Sequence, residues 1–312
     1  QLMLSKFMEP TLKKNAEAKR SIDPAVVFEK TKRKPWRSGN LRKQNWGVWL
    51  HRMSAYVGKM KPAMAHCLIE ASTTPGQTIL DPFCGVGTIP LEADIMGRIG
   101  VGVDLNPYAA MISMAKFDRH PVERQLNWLR SVKIEPEKVD ISSVSPFEKQ
   151  YFHERTLREA LALRDKILED NEKFLFGCLL GILHGHRPGH LSVYTSLVVP
   201  FRPIDKPPYK EVIPRMMEKV KRMYRNPFPL DTLSTAFRGD ARYLPLASGS
   251  IDAVISSPPY YDTLDYIEDN RLRLEFMGYD EKEREKLNRI LIQDPRTYLE
   301  EMKRVGLELM EF

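Results

Sequence analysis

The sequence predicts an α/β protein: a doubly wound, mostly parallel sheet interrupted by a long helical insertion. Three observations predict it. A strand, a glycine-containing loop, a helix and a second strand follow one another between Thr78 and Asp104, the order of a βαβ unit with parallel strands. The alternation lapses from about residue 119 to 235. It resumes at Phe237, and the apolar run Ile251-Asp-Ala-Val-Ile255 leads directly into Ser256-Ser-Pro-Pro-Tyr-Tyr261.

Each element has a local reason. Residues 1–45 are rich in Lys and Arg with little apolar periodicity. They are expected as a basic extension, either solvated or following a phosphate backbone, since Trp36 and Trp46 interleave with the charge. Pro62 to Ser72 reads as a short amphipathic helix with proline in its first turn. Pro75-Gly76 makes a turn, Thr78–Asp81 a strand, and Pro-Phe-Cys-Gly-Val-Gly-Thr a loop. A helix from about Ile89 to Met96 is closed by Gly97. Gly100–Asp104 is a second buried strand ending in an acid, and 108–118 continues as a helix.

The insertion spans 119–235. Within it, Phe152–Leu183 reads as one or two long helices, charged first and then strongly apolar. A loop carrying His184, His186 and His190 follows, then a proline-rich basic stretch to Pro229. Beyond the Ser-Pro-Pro segment two helices are expected, about Leu264–Met277 and Pro295–Glu311. Residues 46–118 and 236–312 thus form the principal α/β domain.

Bulk properties bound the function. Hydrophobic residues make up 42% of the chain, enough for a substantial core, which excludes wholesale disorder. A formal charge of +7 favours an anionic partner such as nucleic acid. Cys67, Cys84 and Cys178 lie far apart with no Cys-x-x-Cys pair, arguing against a disulfide framework or a cysteine zinc site and for a reducing, cytoplasmic setting. No apolar run approaches the ~18–20 residues of a membrane helix. The chain opens on Gln1 rather than Met and is expected to begin inside a longer protein.

Three stretches carry chemistry. Gly85 and Gly87, after a buried strand, let the backbone approach a ligand, and the next helix points its positive end there. Their spacing matches neither the dinucleotide nor the nucleoside-triphosphate glycine signature. Asp104, at the end of the next strand, is placed either to accept from two ribose hydroxyls or to cap the helix that begins near Asn106-Pro107. In Ser257-Pro258-Pro259-Tyr260, tandem prolines rigidify the backbone and remove two amide donors, leaving carbonyls to accept from an incoming amine. Tyr260 can stack on an extruded base.

The stretches DPFCGVGT (81–88), GVDLNPYA (102–109), RGDARYLP (238–245) and ISSPPY (255–260) together resemble the motifs of class I S-adenosylmethionine-dependent amino-methyltransferases, a Rossmann-like fold. The serine form most resembles N4-cytosine DNA methyltransferases, since adenine-N6 enzymes usually carry Asp or Asn there. Tyr56-Val-Gly-Lys59-Met-Lys-Pro62 resembles the family's further cofactor-contacting segment. The resemblance implies that Phe83, Gly85 and Gly87, with Tyr56, Lys59, Asp81, Thr88 and Leu105, bind the cofactor. Asp104 would take its ribose, and Asp240 with Ala241 its adenine. Ser257, Pro258, Pro259 and Tyr260 would hold the target amine. No cysteine nucleophile or metal is implied, and Cys84 reads as loop filler.

Alternatives stay open: guanine-N2 in tRNA, adenine-N6 in DNA, or a non-catalytic nucleic-acid-binding protein on this fold. His186, Arg187, Lys206 and Lys210 are candidate nucleic-acid contacts, and Lys219, Lys221 and Arg222 are a phosphate-facing surface or an ordinary solvated helix face. DNA is the expected partner, with RNA as the second choice. The three histidines read as a loop ahead of a zinc site, lacking a carboxylate within the segment. Asp262 and Asp265 are expected as helix caps. The family's sheet has further strands beyond the helix ending near Glu311, so truncation is expected.

Overall fold

The computed structural model describes residues 23–43, 46–193, 202–260 and 264–312; the start of the basic extension, Tyr261 and Asp262 lie outside them. The strands are β1 (Thr78–Asp81), β2 (Ile99–Asp104), β3 (His184–Gly185), β4 (Ser192–Val193), β5 (Thr235–Arg238) and β6 (Ala253–Val254). The helices up to the insertion are α1 (Pro24–Thr31), α2 (Pro62–Ser72), α3 (Thr88–Ile95) and α4 (Pro107–Ala115). Then come α5 (Val122–Ser131), α6 (Pro146–Lys149), α7 (Glu154–Glu169), α8 (Lys173–Ile182) and α9 (Val212–Met223). The last three are α10 (Arg271–Phe276), α11 (Glu281–Ile290) and α12 (Tyr298–Leu309).

The main sheet runs β5-β2-β1-β6, all parallel. Its first three members step outward in one direction, and β6 then falls on the other side of β1. That reversal is a topological switch point, and the carboxyl ends of its strands leave a crevice there. The expected doubly wound α/β class is observed. The ladder of β6 is regular over two residues, but Asp252 N–H donates to Thr78 O at 3.0 Å and Ile255 N–H to Leu80 O at 3.0 Å, so the extended run matches the expected 251–255.

Alternation explains how β2 packs. A Cβ on Gly100 would sit 2.2 Å from Pro90 O, and one on Gly102 would sit 3.0 Å from Cys84 Sγ. The glycine face therefore lets α3 lie almost against the strand. Val101 and Val103 point the other way, into a cluster with Leu80, Leu244 and Ile251. Glu92 on α3 is buried and bonded to His51 Nε2 and His66 Nδ1, each at 2.8 Å. That pairing ties α2 and the turn at Trp49–Arg52 to the same helix.

The insertion does not stand apart from this domain. Helix α8, apolar on every side, is buried along its length, as a helix without a polar face must be. A Cβ on Gly177 would lie 2.6 Å from Ala115 Cβ, and one on Gly181 would lie 1.9 Å from Met53 O. One cluster contains Leu50, Met53, Val86, Tyr108 and Ile112 together with Leu157, Phe174, Leu179, Met216 and Val220. The expected long helical stretch divides into α7 and α8 at Asn171, which takes φ +55°.

Five helices went unanticipated: the short α1 and α6, and three longer ones. Helix α5 buries Gln125, Leu126 and Leu129, and α9 buries Val212, Met216 and Val220, one turn apart. Helix α11 is highly charged, and its start is fixed by a capping box between Asp280 and Glu283. Asp265 accepts from the Ile267 and Glu268 amides in the turn ahead of Glu268–Asn270, whose N-cap residue is Ile267 rather than Asp265. Among the described residues no helix is long and apolar enough to cross a membrane.

Candidate functional site

The crevice at the switch point is a cavity. Its walls are Asp81–Gly85 and Thr88 from the first loop, Asp104–Asn106 from the end of β2, Asp240–Ala241 beyond β5, and Ser257, Pro259 and Tyr260 beyond β6. Tyr56, Lys59, Tyr266 and Ile292 complete it. Two segments about 175 residues apart therefore face each other, and one bond joins them directly: Ser256 Oγ donates to Asp81 Oδ1 at 2.7 Å.

Three tips carry acids, each held differently. Asp104 accepts from the Gly85 amide on Oδ2 at 2.8 Å and from the Asn106 amide on Oδ1 at 2.9 Å. Helix α4 is capped instead by Asn106, whose side chain accepts from Tyr108 and Ala109. The carboxylate is thus free of capping duty and fixes the glycine loop. Burial raises its pKa to about 6, and the two amide bonds oppose that rise. Asp81 is 3% exposed; burial raises it to about 7 against the bonds from Ser256 and Phe83, with the Asp104 charge adding to the rise. Asp240 is raised by burial, but bonds from Arg242 outweigh this and hold it below the usual range. Arg242 Nη2 lies 2.6 Å from Asp240 Oδ2, and Nη1 lies 2.7 Å from Glu301.

The two glycines do different work. Gly85, at φ +51°, faces the cavity, and a Cβ there would meet the Tyr56 ring at 3.4 Å. Gly87, at φ +71°, is the residue before α3 and stands behind the cavity, where a Cβ would lie 2.2 Å from Ser113 Oγ. Its conformation and the tight packing on α4 require glycine; it does not line the walls. Lys59 donates to His51 O at 3.1 Å, and burial lowers its pKa, as does Arg52. Cys84 does line the cavity, and burial pushes its thiol well up.

The Ser-Pro-Pro-Tyr loop is clamped by two tyrosines that the sequence reading missed. Tyr266 Oη accepts from the Tyr260 amide at 3.1 Å, and Tyr298 Oη donates to Pro259 O at 3.0 Å. The engaged carbonyl is that of Pro259, not that of Pro258. Tyr266 also stacks on Tyr56, with centroids 6.2 Å apart and planes at 24°. Pro258 is exposed and outside the cavity wall. Ser257 Oγ lies 3.5 Å from Tyr260 Oη, and the Tyr260 side chain is half exposed at the rim.

The nucleic-acid candidates are less unified. His186 and Arg187 are exposed and line a neighbouring cleft. Lys206 is exposed on an adjoining cleft, whereas Lys210 spends its amine on His190 O at 2.7 Å. Lys219 is buried and donates to Met53 O at 2.5 Å; burial lowers its pKa to about 7. Its place on the buried face of α9 corrects the expectation of a surface cation.

Residues 5–115 match the DNA methylase family profile for N6 and N4 amino-methyltransferases. The Type II methyltransferase M.BsoBI of Geobacillus stearothermophilus is 23% identical over 283 residues, covering 75% of this chain and 53% of that protein. M.XycI of Xanthomonas campestris pv. cyanopsidis is 37% identical over 79 residues, 24% of this chain and 26% of its own. These matches are to amino-methyltransferases of the N4/N6 DNA methylase type. Another similar protein is the tRNA (guanine(10)-N2)-dimethyltransferase of Methanothermobacter thermautotrophicus, 46% identical over 52 residues, 16% of each chain. The chain spans about half the length of M.BsoBI and less of the others. Its parallel sheet with flanking helices is that of a class I methyltransferase, and the family is generally dependent on S-adenosylmethionine.

Proposed function

We propose that this protein transfers a methyl group from S-adenosylmethionine to the N4 amine of cytosine in DNA. The observation that carries this reading is the single cavity in which Gly85 and Asp104 face Ser257 and Tyr260. The donor set suits the cofactor: a half-buried carboxylate held by two backbone amides for vicinal hydroxyls, and a side-chain-free approach at Gly85. Apolar walls at Phe83 and Ile292 would take the flat and aliphatic parts. S-adenosylmethionine, when bound, supplies an electrophilic methyl on a sulfonium.

What the chain contributes is placement. An exocyclic base amine is a poor nucleophile because its lone pair is delocalised into the ring. The Ser257 hydroxyl would accept one amine hydrogen, which favours a pyramidal nitrogen and localises the pair. Tyr260, half exposed at the rim, offers its ring to an extruded base, where stacking is worth about 1–3 kcal/mol. Holding the two partners in line removes much of the entropic barrier to a bimolecular step.

Serine ahead of the prolines supports cytosine over adenine. The tRNA dimethyltransferase relative supports guanine-N2 as the second reading. The test is incubation with tritiated S-adenosylmethionine and duplex DNA or tRNA, followed by nucleoside digestion. Label in N4-methylcytosine is the expected result. Label confined to tRNA guanine or to DNA adenine would overturn the assignment of the base.

A further inference from the structure

A second cleft abuts the cofactor cavity, and the two share Tyr56 and Lys59 as a wall. Their charges are opposite. The cavity is lined by Asp81, Asp104 and Asp240, whereas the cleft gathers Arg52, Lys59, Arg187, Lys219, Arg222 and Arg273 against a single carboxylate, Asp269. Arg187 and Arg222 make no ion pair with any described residue. These cations raise one another's energy: Arg222 is lowered by burial and then by Arg187 and Arg225. His190, in the same cleft, is held down to about 4 by burial, with Lys219, Arg273 and Arg222 adding to it.

The cleft is also built rather than incidental. Trp49 carries the Arg52 guanidinium at 4.7 Å and that of Arg225 at 5.2 Å from its ring centroid, an arrangement that stiffens the arginines. Helix α9, the turn Trp49–Arg52 and the loop bearing Arg187 come from three distant parts of the chain, so the gathering of charge is made by the fold. Guanidinium groups gathered in one cleft suit phosphodiester oxygens. A strand lying there would meet the cavity at the Tyr56–Lys59 wall, where an extruded base must enter.

Resting on the reading of a DNA substrate, we propose that this cleft seats the phosphodiester backbone of the strand that carries the target base. Arg187 and Arg222 are its principal phosphate contacts. Phosphate contacts release counterions, so each one removed lowers the slope of log affinity against log salt by about 0.9.

The test is an Arg187→Gln/Arg222→Gln double variant of the full chain. Fluorescence anisotropy with a labelled duplex across a potassium chloride series reads Kd and its salt slope, and calorimetry with S-adenosylhomocysteine reads the cofactor site. The expected result is duplex affinity weaker by ten-fold or more, a slope shallower by about 2, and cofactor affinity within two-fold of the parent. Unchanged duplex affinity and slope would overturn the proposal. So would a loss seen only with an RNA hairpin, or an equal loss in a Lys133→Gln/Lys138→Gln control on a separate surface groove. Failure of the activity reading looks different: no base is labelled, yet duplex binding still depends on Arg187 and Arg222. A labelled base with unaltered binding in the variant fails the cleft alone.

Discussion

Replacing Asp104 by Asn tests the cofactor site most directly. The two carboxylate oxygens accept from Gly85 and Asn106 amides at 2.8 and 2.9 Å, and each keeps a lone pair for a ribose hydroxyl. Asn offers one oxygen and one NH2 group, so one backbone amide must face a donor and one hydroxyl loses its charged acceptor. A hydrogen bond to a charged group contributes about 1.5–3 kcal/mol. With part of one bond retained as neutral, the expected loss is about 2–4 kcal/mol, or roughly 30- to 1000-fold in affinity. Calorimetric titration with S-adenosylhomocysteine measures it. The parent's affinity should also fall as pH drops through about 6, where Asp104 takes up a proton, while the variant's stays flat. A variant Kd within three-fold of the parent, or a parent profile level from pH 5 to 8, would refute the role given to Asp104.

Other expectations are simpler. Tyr298→Phe removes the hydroxyl that holds Pro259 O; kcat should fall about ten-fold, near 1.4 kcal/mol, with cofactor affinity unchanged, as stopped-assay kinetics and calorimetry will show. Gly87→Ala places a Cβ against Ser113 at a positive φ and should cost at least about 2 kcal/mol of stability in urea unfolding. Pairing it with Ser113→Ala should recover only part, because the Ser113 Cα still lies 3.2 Å away. Asp81 is raised to about 7, so between about pH 4 and 7 the folded state holds a proton that the unfolded state, with a carboxyl near 3.9, has released. Unfolding free energy from this group therefore falls as pH rises across that window and levels above it. The pH dependence of stability should be weaker in Asp81→Asn over that window.

The sheet and most of its site were legible because their signals are local. A glycine loop between two apolar strands, and an acid or a Ser-Pro-Pro at a strand end, fix themselves within a few residues. Tyr266 and Tyr298 carry no such signal. They reach the cavity wall and the Ser-Pro-Pro loop from segments whose placement depends on tertiary packing, and a tyrosine among charged residues reads the same wherever it points. Lys219 misled for a related reason, since a basic sequence around it hides the fact that α9 turns that residue inward. Helix α11 did carry a signature, Asp280 with Glu283, but its near-absence of apolar residues weakens the periodicity that helices are usually read from.

The glycines of α8 bear on how far residues 119–235 can vary. Because Gly177 and Gly181 bring that helix against Ala115 and Met53, the inserted region supplies much of the hydrophobic centre on which the cofactor loops rest. Exchanging residues 119–235 wholesale would strip one side from that shared interior. Variation is accommodated instead at the exposed turns between these helices, where a change leaves the interior intact.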